Sequence, residues 1–537
     1  MTPSYPLLIG QLLKTPLAQA PDQEIIHADV SRYSYKVLRQ RIGRLGAALT
    51  QIGVGRGSVV AVLDWDSHRY LECFFALPML GAVLHTVNVR LSPEQLLYTI
   101  NHAEDDVILV HEDFLPLIEE IADQILRPVK LILLQDKSAP IASPLIFSGE
   151  YEALLTLASP DFDFPEFDEN TRATLFYTTG TTGDPKGVSF SHRQIVLHTL
   201  GVIAAVSPVP GMGGLHRGDV YMPITPLFHV HAWGFPYVAT LLGIKQVYPG
   251  RYEPARLLAL IAEHGVTFSH CVPTILNMLL AAPGLESVDL SRWKVIIGGA
   301  ALPAGMAKAA MARGIDIHAG YGMSETCPVL TIADMTASIE AENSIAIRCA
   351  TGKSAPLVEI EIVDPDMKPQ PHDGIATGEV IARAPWLTGG YLKNPEGSAA
   401  LWQGGWLHTG DVGSIDPVGT LRISDRLKDV IKSGGEWISS LQLENIVSLT
   451  EGLAEVAAIG IADAKWGERP CLVAVLRPGV ETPVVEAAMR KAIEAAIADG
   501  KLSKWARPDR IAWLDDLPKT SVGKLDKKVM REMLKNA

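Results

Sequence analysis

The segment Tyr177-Thr-Thr-Gly-Thr-Thr-Gly-Asp-Pro-Lys-Gly-Val188 constrains this chain more than any other. Its lead-in, Ala173-Thr-Leu-Phe-Tyr177, is an apolar run of the kind that forms a buried strand. The loop that leaves it carries glycines at Gly180, Gly183 and Gly187, hydroxyls at Thr178, Thr179, Thr181 and Thr182, and a cation at Lys186. Glycine admits positive φ and lets the backbone close on a ligand. Exposed N–H groups, hydroxyls and one lysine together suit phosphate oxygens. A plain flexible Gly/Thr loop would not need that recurrence. The segment is not a Walker A loop, which needs Gly and Lys adjacent before Ser/Thr; here Pro185 precedes Lys186 and Gly187 follows it.

At 537 residues the chain exceeds one ordinary hydrophobic core, so two or more domains are expected. With 47% hydrophobic and 20% charged residues, wholesale disorder is excluded. A formal net charge of −13 argues against general nucleic-acid binding. The stretch Lys501–Ala537 runs the other way, with ten Lys/Arg against five Asp/Glu. Such a tail suits a polyphosphate ligand, although a solvated helix face has the same composition. Cys73, Cys271, Cys327, Cys349 and Cys471 are scattered without a C-x-x-C pair, so neither a disulfide framework nor a zinc site is expected. The sequence shows no leader with a basic start and a long apolar stretch, and no run of about eighteen apolar residues. The expectation is a cytoplasmic enzyme without an integral membrane segment.

The first half alternates helical and strand patterns. Tyr35 to Gly53 has Leu38, Ile42, Leu45 and Leu49 on one helical face, Ser58–Leu63 reads as a buried strand, and Ser67–Leu77 as a helix capped by Ser67 and stopped at Pro78. Val107–Val110 is a further strand, and the alternation continues through Ile195–Val206, Tyr221–Leu227 and Val266–Cys271. This is an α/β pattern with a largely parallel sheet. After about residue 350 turn signals multiply, among them Asp364-Pro365, Gly389-Gly390 and Gly404-Gly405, with short β-like segments at Val358–Val363, Glu379–Ala382 and Gly419–Ile423. A small antiparallel sheet is expected there. Glu455–Ile461, Pro470–Leu476 and a helix over Pro483–Ala498 suffice for a further small α+β domain, with a boundary near Asp425 to Lys428.

Four segments join the glycine/threonine loop: Pro226-Leu-Phe-His-Val-His-Ala-Trp-Gly234, Gly320-Tyr-Gly-Met-Ser-Glu-Thr326, Trp406-Leu-His-Thr-Gly-Asp-Val412 and Pro518-Lys-Thr-Ser-Val-Gly-Lys524. In this order and spacing they resemble the adenylate-forming (AMP-binding) superfamily of acyl-CoA synthetases, adenylation domains and luciferases, over nearly the whole chain. The resemblance implies an α/β fold: a large N-terminal AMP-binding domain (1–425) of parallel-rich α/β sheets plus a small antiparallel, barrel-like subdomain, then a small mobile α+β C-terminal domain (426–537) with its hinge at Lys428. It implies two steps in one site. A carboxylate attacks the α-phosphate of ATP to give acyl-AMP and pyrophosphate; a thiol then displaces AMP. Positioned cations and donors would carry the first step.

By the same resemblance Lys524 is the catalytic lysine, Glu325 binds Mg²⁺ with a hydroxyl from Thr181, and His229 lies near the substrate carboxyl group. The loop Thr178, Thr179, Gly180, Thr181, Thr182, Gly183 and Lys186 receives the phosphates, with Gly322, Met323 and Ser324 of the second motif beside it. Tyr321 stacks on adenine opposite Gly299, Ala300 and Ala301, while Asp411 and Arg426 hold the ribose. Taken alone, Asp411 would be an ordinary turn aspartate. Ser324 stands where the family usually has threonine, which keeps the hydroxyl and loses some stiffness. Lys432, Gly434, Gly435 and Glu436 would serve the thiol step, the glycines leaving room for the pantetheine arm of CoA; a lone Gly-Gly pair is otherwise a simple turn.

The strings His-Val-His-Ala-Trp-Gly and Lys432-Ser-Gly-Gly-Glu-Trp-Ile-Ser439 look most like those of bacterial medium- and long-chain fatty acyl-CoA synthetases. In those a tryptophan like Trp233 gates an acyl tunnel, although a core tryptophan reads the same. Trp233, Gly298 and Val230, with Ile224, Val329 and Leu330, are candidates to line an apolar pocket for a monocarboxylic acid. Apolar pockets discriminate by only about 1–3 kcal/mol per methylene, so chain length is not legible, and short branched, aromatic or methylthio acids stay open. An enzyme loading a carrier protein is the second reading; a luciferase-like oxygenase is a lesser one, since nothing here specifically signals O₂ chemistry, and an inactive nucleotide-binding regulatory protein is the last, with intact Lys524, Glu325 and Asp411 weighing against it. Many relatives are homodimers, and the apolar Leu7, Leu8, Leu12 and Leu13 either serve such contacts or dock on their own domain.

Overall fold

The strand expected to carry the glycine/threonine loop is Arg172–Thr178, buried from Ala173 to Tyr177. It does not run into a helix. The chain returns as a second strand, Lys186–Ser191, antiparallel to the first, with Thr178 opposite Lys186 and Tyr177 opposite Gly187. The computed structural model describes residues 5–137, 140–178, 184–207, 214–333, 341–434, 436–520 and 524–535.

Among the described residues there are four sheets. The hairpin forms one edge of a seven-stranded sheet whose other neighbours all pair in parallel. A nine-stranded sheet is parallel through its centre and turns antiparallel at both ends, where Ser31–Ser34 meets Glu24–His27 and Val329–Ile332 meets Asp316–Gly322. Parallel strands need helical crossovers and end up buried on both faces, which is why Val59–Leu63 and Val107–His111 read as unbroken apolar runs. The helices follow the expected stripes. Tyr35–Gln51 buries Leu38, Ile42, Leu45 and Leu49. His68–Met79 is capped by the Ser67 hydroxyl, which accepts the Tyr70 N–H. Pro78 does not stop this helix but sits in its last turn, because its fixed φ is helical and only one backbone donor is lost. Tyr221–Leu227 yields only a two-residue strand, Val220–Tyr221.

The region after residue 350 forms a five-stranded antiparallel sheet, in which Trp406–Ile415 pairs with both Gly378–Arg383 and Leu421–Arg426. The last sheet is built on the long hairpin Leu453–Asp463/Gly467–Leu476, with the helix Thr482–Ala498 packed in the same apolar cluster. It meets the rest of the chain at polar contacts: Asn277 Nδ2 donates to Glu455 Oε1 (3.3 Å), and the Ala304 N–H to Asn445 Oδ1 (3.1 Å). At the N-terminus Ile9, Leu12 and Leu13 are buried and Leu7 packs against the main core, so this segment docks on its own chain.

One buried ionic hub joins the two large sheets. Glu72 accepts hydrogen bonds from Tyr33 Oη, Arg41 Nε and Tyr151 Oη, each at 2.6 Å, and Arg41 also grips Glu152 with both terminal nitrogens. Removing one carboxylate from such a hub strands its partners in an apolar setting. E72A is expected to destabilise this part of the chain by about 3 kcal/mol, read as an earlier first transition in urea unfolding.

Candidate active site

The ends of the central strands of the nine-stranded sheet open on a cavity of about 40 Å³. It is lined on one part by Val230, Trp233, Phe235, Ile296, Pro328, Val329 and Ile332, and on the other by His229, Gly298, Gly299, Tyr321, Gly322, Met323, Ser324 and Lys524. Residues from positions 229 to 524 thus meet in one place, and most were expected from the motifs. Ile224 and Leu330 are corrections: both are fully buried in apolar clusters and neither lines the cavity. Tyr321 pairs with Thr331 and Gly322 with Val329, so the register slips at Leu330, which turns into the core while Val329 and Ile332 line the cavity.

Lys524 enters over Gly299. That glycine has φ +76°, and a β-carbon there would stand 3.0 Å from Lys524 Cε and 3.7 Å from Nζ. A side chain at 299 would therefore be both strained and in the lysine's path. The Lys524 backbone closes a small ring with Thr520, whose N–H donates to the Lys524 carbonyl (2.7 Å) while Thr520 Oγ1 accepts the Lys524 N–H (3.2 Å). Burial, with the Arg426 and Lys428 cations nearby, pulls the Lys524 ammonium down to about 8, against the opposing pull of Asp411 and Glu325.

Asp411 and Arg426 are cross-strand partners in the antiparallel sheet. Arg426 Nε lies 3.2 Å from Asp411 Oδ1, and Tyr321 Oη donates to Asp411 Oδ2 (2.8 Å). Burial raises the Asp411 carboxyl from its ordinary value and Arg426 opposes it. A carboxylate set between a tyrosine and an exposed arginine can accept a vicinal diol. Ala300 and Ala301 are exposed on the loop just past Gly299.

Glu325 sits buried in the turn Ser324–Thr326. Its Oε1 accepts the Tyr391 hydroxyl (2.7 Å), and its backbone carbonyl accepts the Thr388 N–H (2.9 Å). A buried carboxylate oxygen next to the phosphate-type hairpin is the hard donor that Mg²⁺ prefers. Among the described residues no cluster of three or more His, Cys, Asp or Glu could hold a metal on its own. The site fits an ion that takes most of its ligands from phosphates and water. Tyr391 and Thr388 were missed in the sequence. Their only signal was the Gly389-Gly390 pair, read as a turn.

His229 opens a turn of unusual hand. Val230, His231, Ala232 and Trp233 have φ between +47° and +57°, followed by Gly234 at +75°. Left-handed backbone costs a non-glycine residue about 1–2 kcal/mol. Burial holds the turn in place: His231 and Ala232 are fully buried, and the His231 ring stands among Phe74, Phe176, Phe190 and Tyr237. The result is that Val230 and Trp233 both face the cavity, Trp233 lying against Gly298, where a β-carbon would be 2.9 Å from its ring. Burial and the Lys524 and Arg90 cations push the His229 imidazole down to about 3, so it is neutral near pH 7.

Thr178 and Lys186 frame the hairpin, with the Lys186 N–H 3.4 Å from Thr178 Oγ1. Thr179, Gly180, Thr181, Thr182, Gly183 and Gly435 lie outside the described residues. Lys432, Gly434 and Glu436 do not line the cavity. Gly434, at φ +60°, donates its N–H to the Trp466 carbonyl (2.8 Å) and packs against Trp466 and Trp505. Lys428 is exposed just past Arg426, and Arg531 pairs with the neighbouring Asp429 at 2.6 Å.

Residues 13–392 match the AMP-binding enzyme family, and residues 442–524 match the AMP-binding enzyme C-terminal domain. A long-chain-fatty-acid–CoA ligase of Thermus thermophilus is 40% identical over 95% of this chain and 91% of its own length. A 3-methylmercaptopropionyl-CoA ligase of Ruegeria lacuscaerulensis is 38% identical over 99% and 98%. The fold superposes on an anthranilate CoA ligase in complex with anthranoyl-AMP with a TM-score of 0.87, at 23% identity over 99% of this chain and 98% of that one. Among the described residues no helix is long and apolar enough to cross a membrane. With the strand hairpin, the Tyr321–Asp411–Arg426 cluster and the inserted Lys524 in one site, and with matches spanning nearly its full length, the chain belongs to the AMP-binding enzyme family.

Proposed function

We propose that this protein is an AMP-forming acid–CoA ligase acting on an apolar monocarboxylic acid, with ATP, Mg²⁺ and CoA. The observation that carries the reading is the desolvated Lys524 ammonium over Gly299, beside Asp411 and Glu325. In the first step an acid oxygen attacks the α-phosphorus, the bond to the bridging oxygen breaks, and pyrophosphate leaves. Lys524 bonds the carboxylate and the α-phosphate as negative charge builds, and does so strongly because water is largely excluded. His229, neutral, stands by the carboxyl group. Tyr321 packs on adenine, with Ala300 and Ala301 on the far wall, while Asp411 and Arg426 hold the ribose. Glu325 would hold Mg²⁺, which would supply positive charge to offset that of the phosphates. In the second step the CoA thiolate adds to the acyl carbonyl and AMP departs. The chain from 426 onward acts as a small domain that turns about Lys428, exchanging Lys524 for the Lys432–Glu436 loop. Loading of a carrier protein is the weaker reading. Substrates of this kind fit a cytoplasmic enzyme.

The cavity favours an acid with a short apolar group while Trp233 rests on Gly298. A medium or long chain requires that ring to move. ATP- and CoA-dependent AMP release across acids from acetate to palmitate, with branched, aromatic and methylthio acids, is expected to show one optimum among apolar acids. Pyrophosphate release without CoA dependence would favour the carrier reading. W233A is expected to raise kcat/KM for octanoate relative to butyrate by about tenfold, as when one or two of its four extra methylenes, at about 1 kcal/mol each, find room in the opened space.

The Lys524 ammonium is present below about pH 8 and is lost as pH rises through that value. Its kcat/KM for ATP, followed by ATP–pyrophosphate exchange, should therefore fall above about pH 8. K524A should slow acyl-adenylate formation by about 10²–10³-fold, while transfer from supplied acyl-adenylate to CoA persists. A variant that adenylates as fast as the wild type would overturn the assignment.

A further inference from the structure

The turn that follows Trp386 touches both halves of the phosphate site. Thr388 donates its N–H to the Glu325 carbonyl (2.9 Å) and its hydroxyl to the Ser189 carbonyl (3.1 Å). Leu392 donates its N–H to the Gly187 carbonyl (2.8 Å), and Tyr391 bridges Val188, both on the return strand of the hairpin. Tyr391 stands between them. Its hydroxyl donates to Glu325 Oε1 (2.7 Å), and the Lys186 ammonium lies over its ring, 4.8 Å from the centroid. The Tyr391 backbone is itself pinned, its N–H donating to Ser398 Oγ (2.9 Å), while Ser398 Oγ donates to the Asn394 carbonyl (2.6 Å).

We propose that Tyr391 is a positioning residue that locks the Glu325 carboxylate and the Lys186 ammonium into one arrangement, so that the metal and phosphate subsites of the ligase are set together. The inference rests on the acid–CoA ligase reading. One oxygen of Glu325 is tethered by the phenol, which fixes the rotamer and turns the remaining lone pairs to a cation. A carboxylate tethered in this way binds a metal more tightly than one that rotates freely. The same ring holds Lys186 by a cation–π contact, so the phosphate lysine cannot swing independently of the metal carboxylate. Tyr391 touches no substrate itself.

The two roles separate chemically. Y391F keeps the ring under Lys186 and removes only the hydroxyl; Y391L removes both. Binding of Mn²⁺–ATP to the full-length protein, followed by the Mn²⁺ paramagnetic resonance signal, is expected to weaken about tenfold in Y391F. Binding of ATP with metal chelated should change by less than about twofold in Y391F and weaken clearly in Y391L. Transfer of the acyl group from supplied acyl-adenylate to CoA, which needs no triphosphate, should persist in both. Wild-type Mn²⁺–ATP affinity in Y391F would overturn the proposal. So would a parallel loss of acyl transfer and metal binding, which would mean that Tyr391 only supports the fold. If the wild-type protein activates no acid at all, the ligase reading fails on its own, and the metal titration still reports on Tyr391.

Discussion

The arrangement of the cleft hangs on taking one ammonium group out of water. Lys524 is drawn over Gly299 from near the end of the chain, and burial lowers the pKa of its ammonium. Asp411 and Glu325 keep it from falling further, one from the strand Trp406–Ile415 and the other from the turn Ser324–Thr326. Both carboxylates draw on the same cation. Arg426 and Lys428 push against it, which holds the ammonium at about 8, still charged at neutral pH. A cation that is uncomfortable in the empty site and comfortable beside phosphate favours the charged transition state over the free enzyme.

A second constraint is conformational. Four successive non-glycine residues in the left-handed region would not persist in an isolated peptide. Here the turn is clamped because His231 and Ala232 have nowhere else to go within the aromatic cluster of the core. The strain is local, while the stabilisation is spread over strands and helices far along the chain. It brings His229 and Trp233 to one cavity, so one short segment supplies both polar and apolar parts of the lining.

The phosphate hairpin and the Glu325 turn are joined by short-range contacts through Thr388 and Tyr391. The C-terminal sheet, by contrast, meets the rest through a few polar contacts such as Asn277–Glu455.

Much of this was written in the order of residues. Apolar runs such as Val59–Leu63, the stripe of Tyr35–Gln51 and the Ser67 cap follow from local periodicity and hydrogen-bonding chemistry, which a sequence states directly. Tyr321, Asp411 and Lys524, picked out by their motifs, gather in one place, while positions 179–183 of the glycine/threonine loop lie outside the described residues. Ile224 and Leu330 were misread because an apolar residue does not announce which face of its strand is core. The left-handed turn at Val230–Trp233 and the Tyr391 link to Glu325 and Lys186 left no local trace. Both depend on groups tens or hundreds of positions apart, and only the packing of sheets and turns in three dimensions brings those groups within a few ångströms.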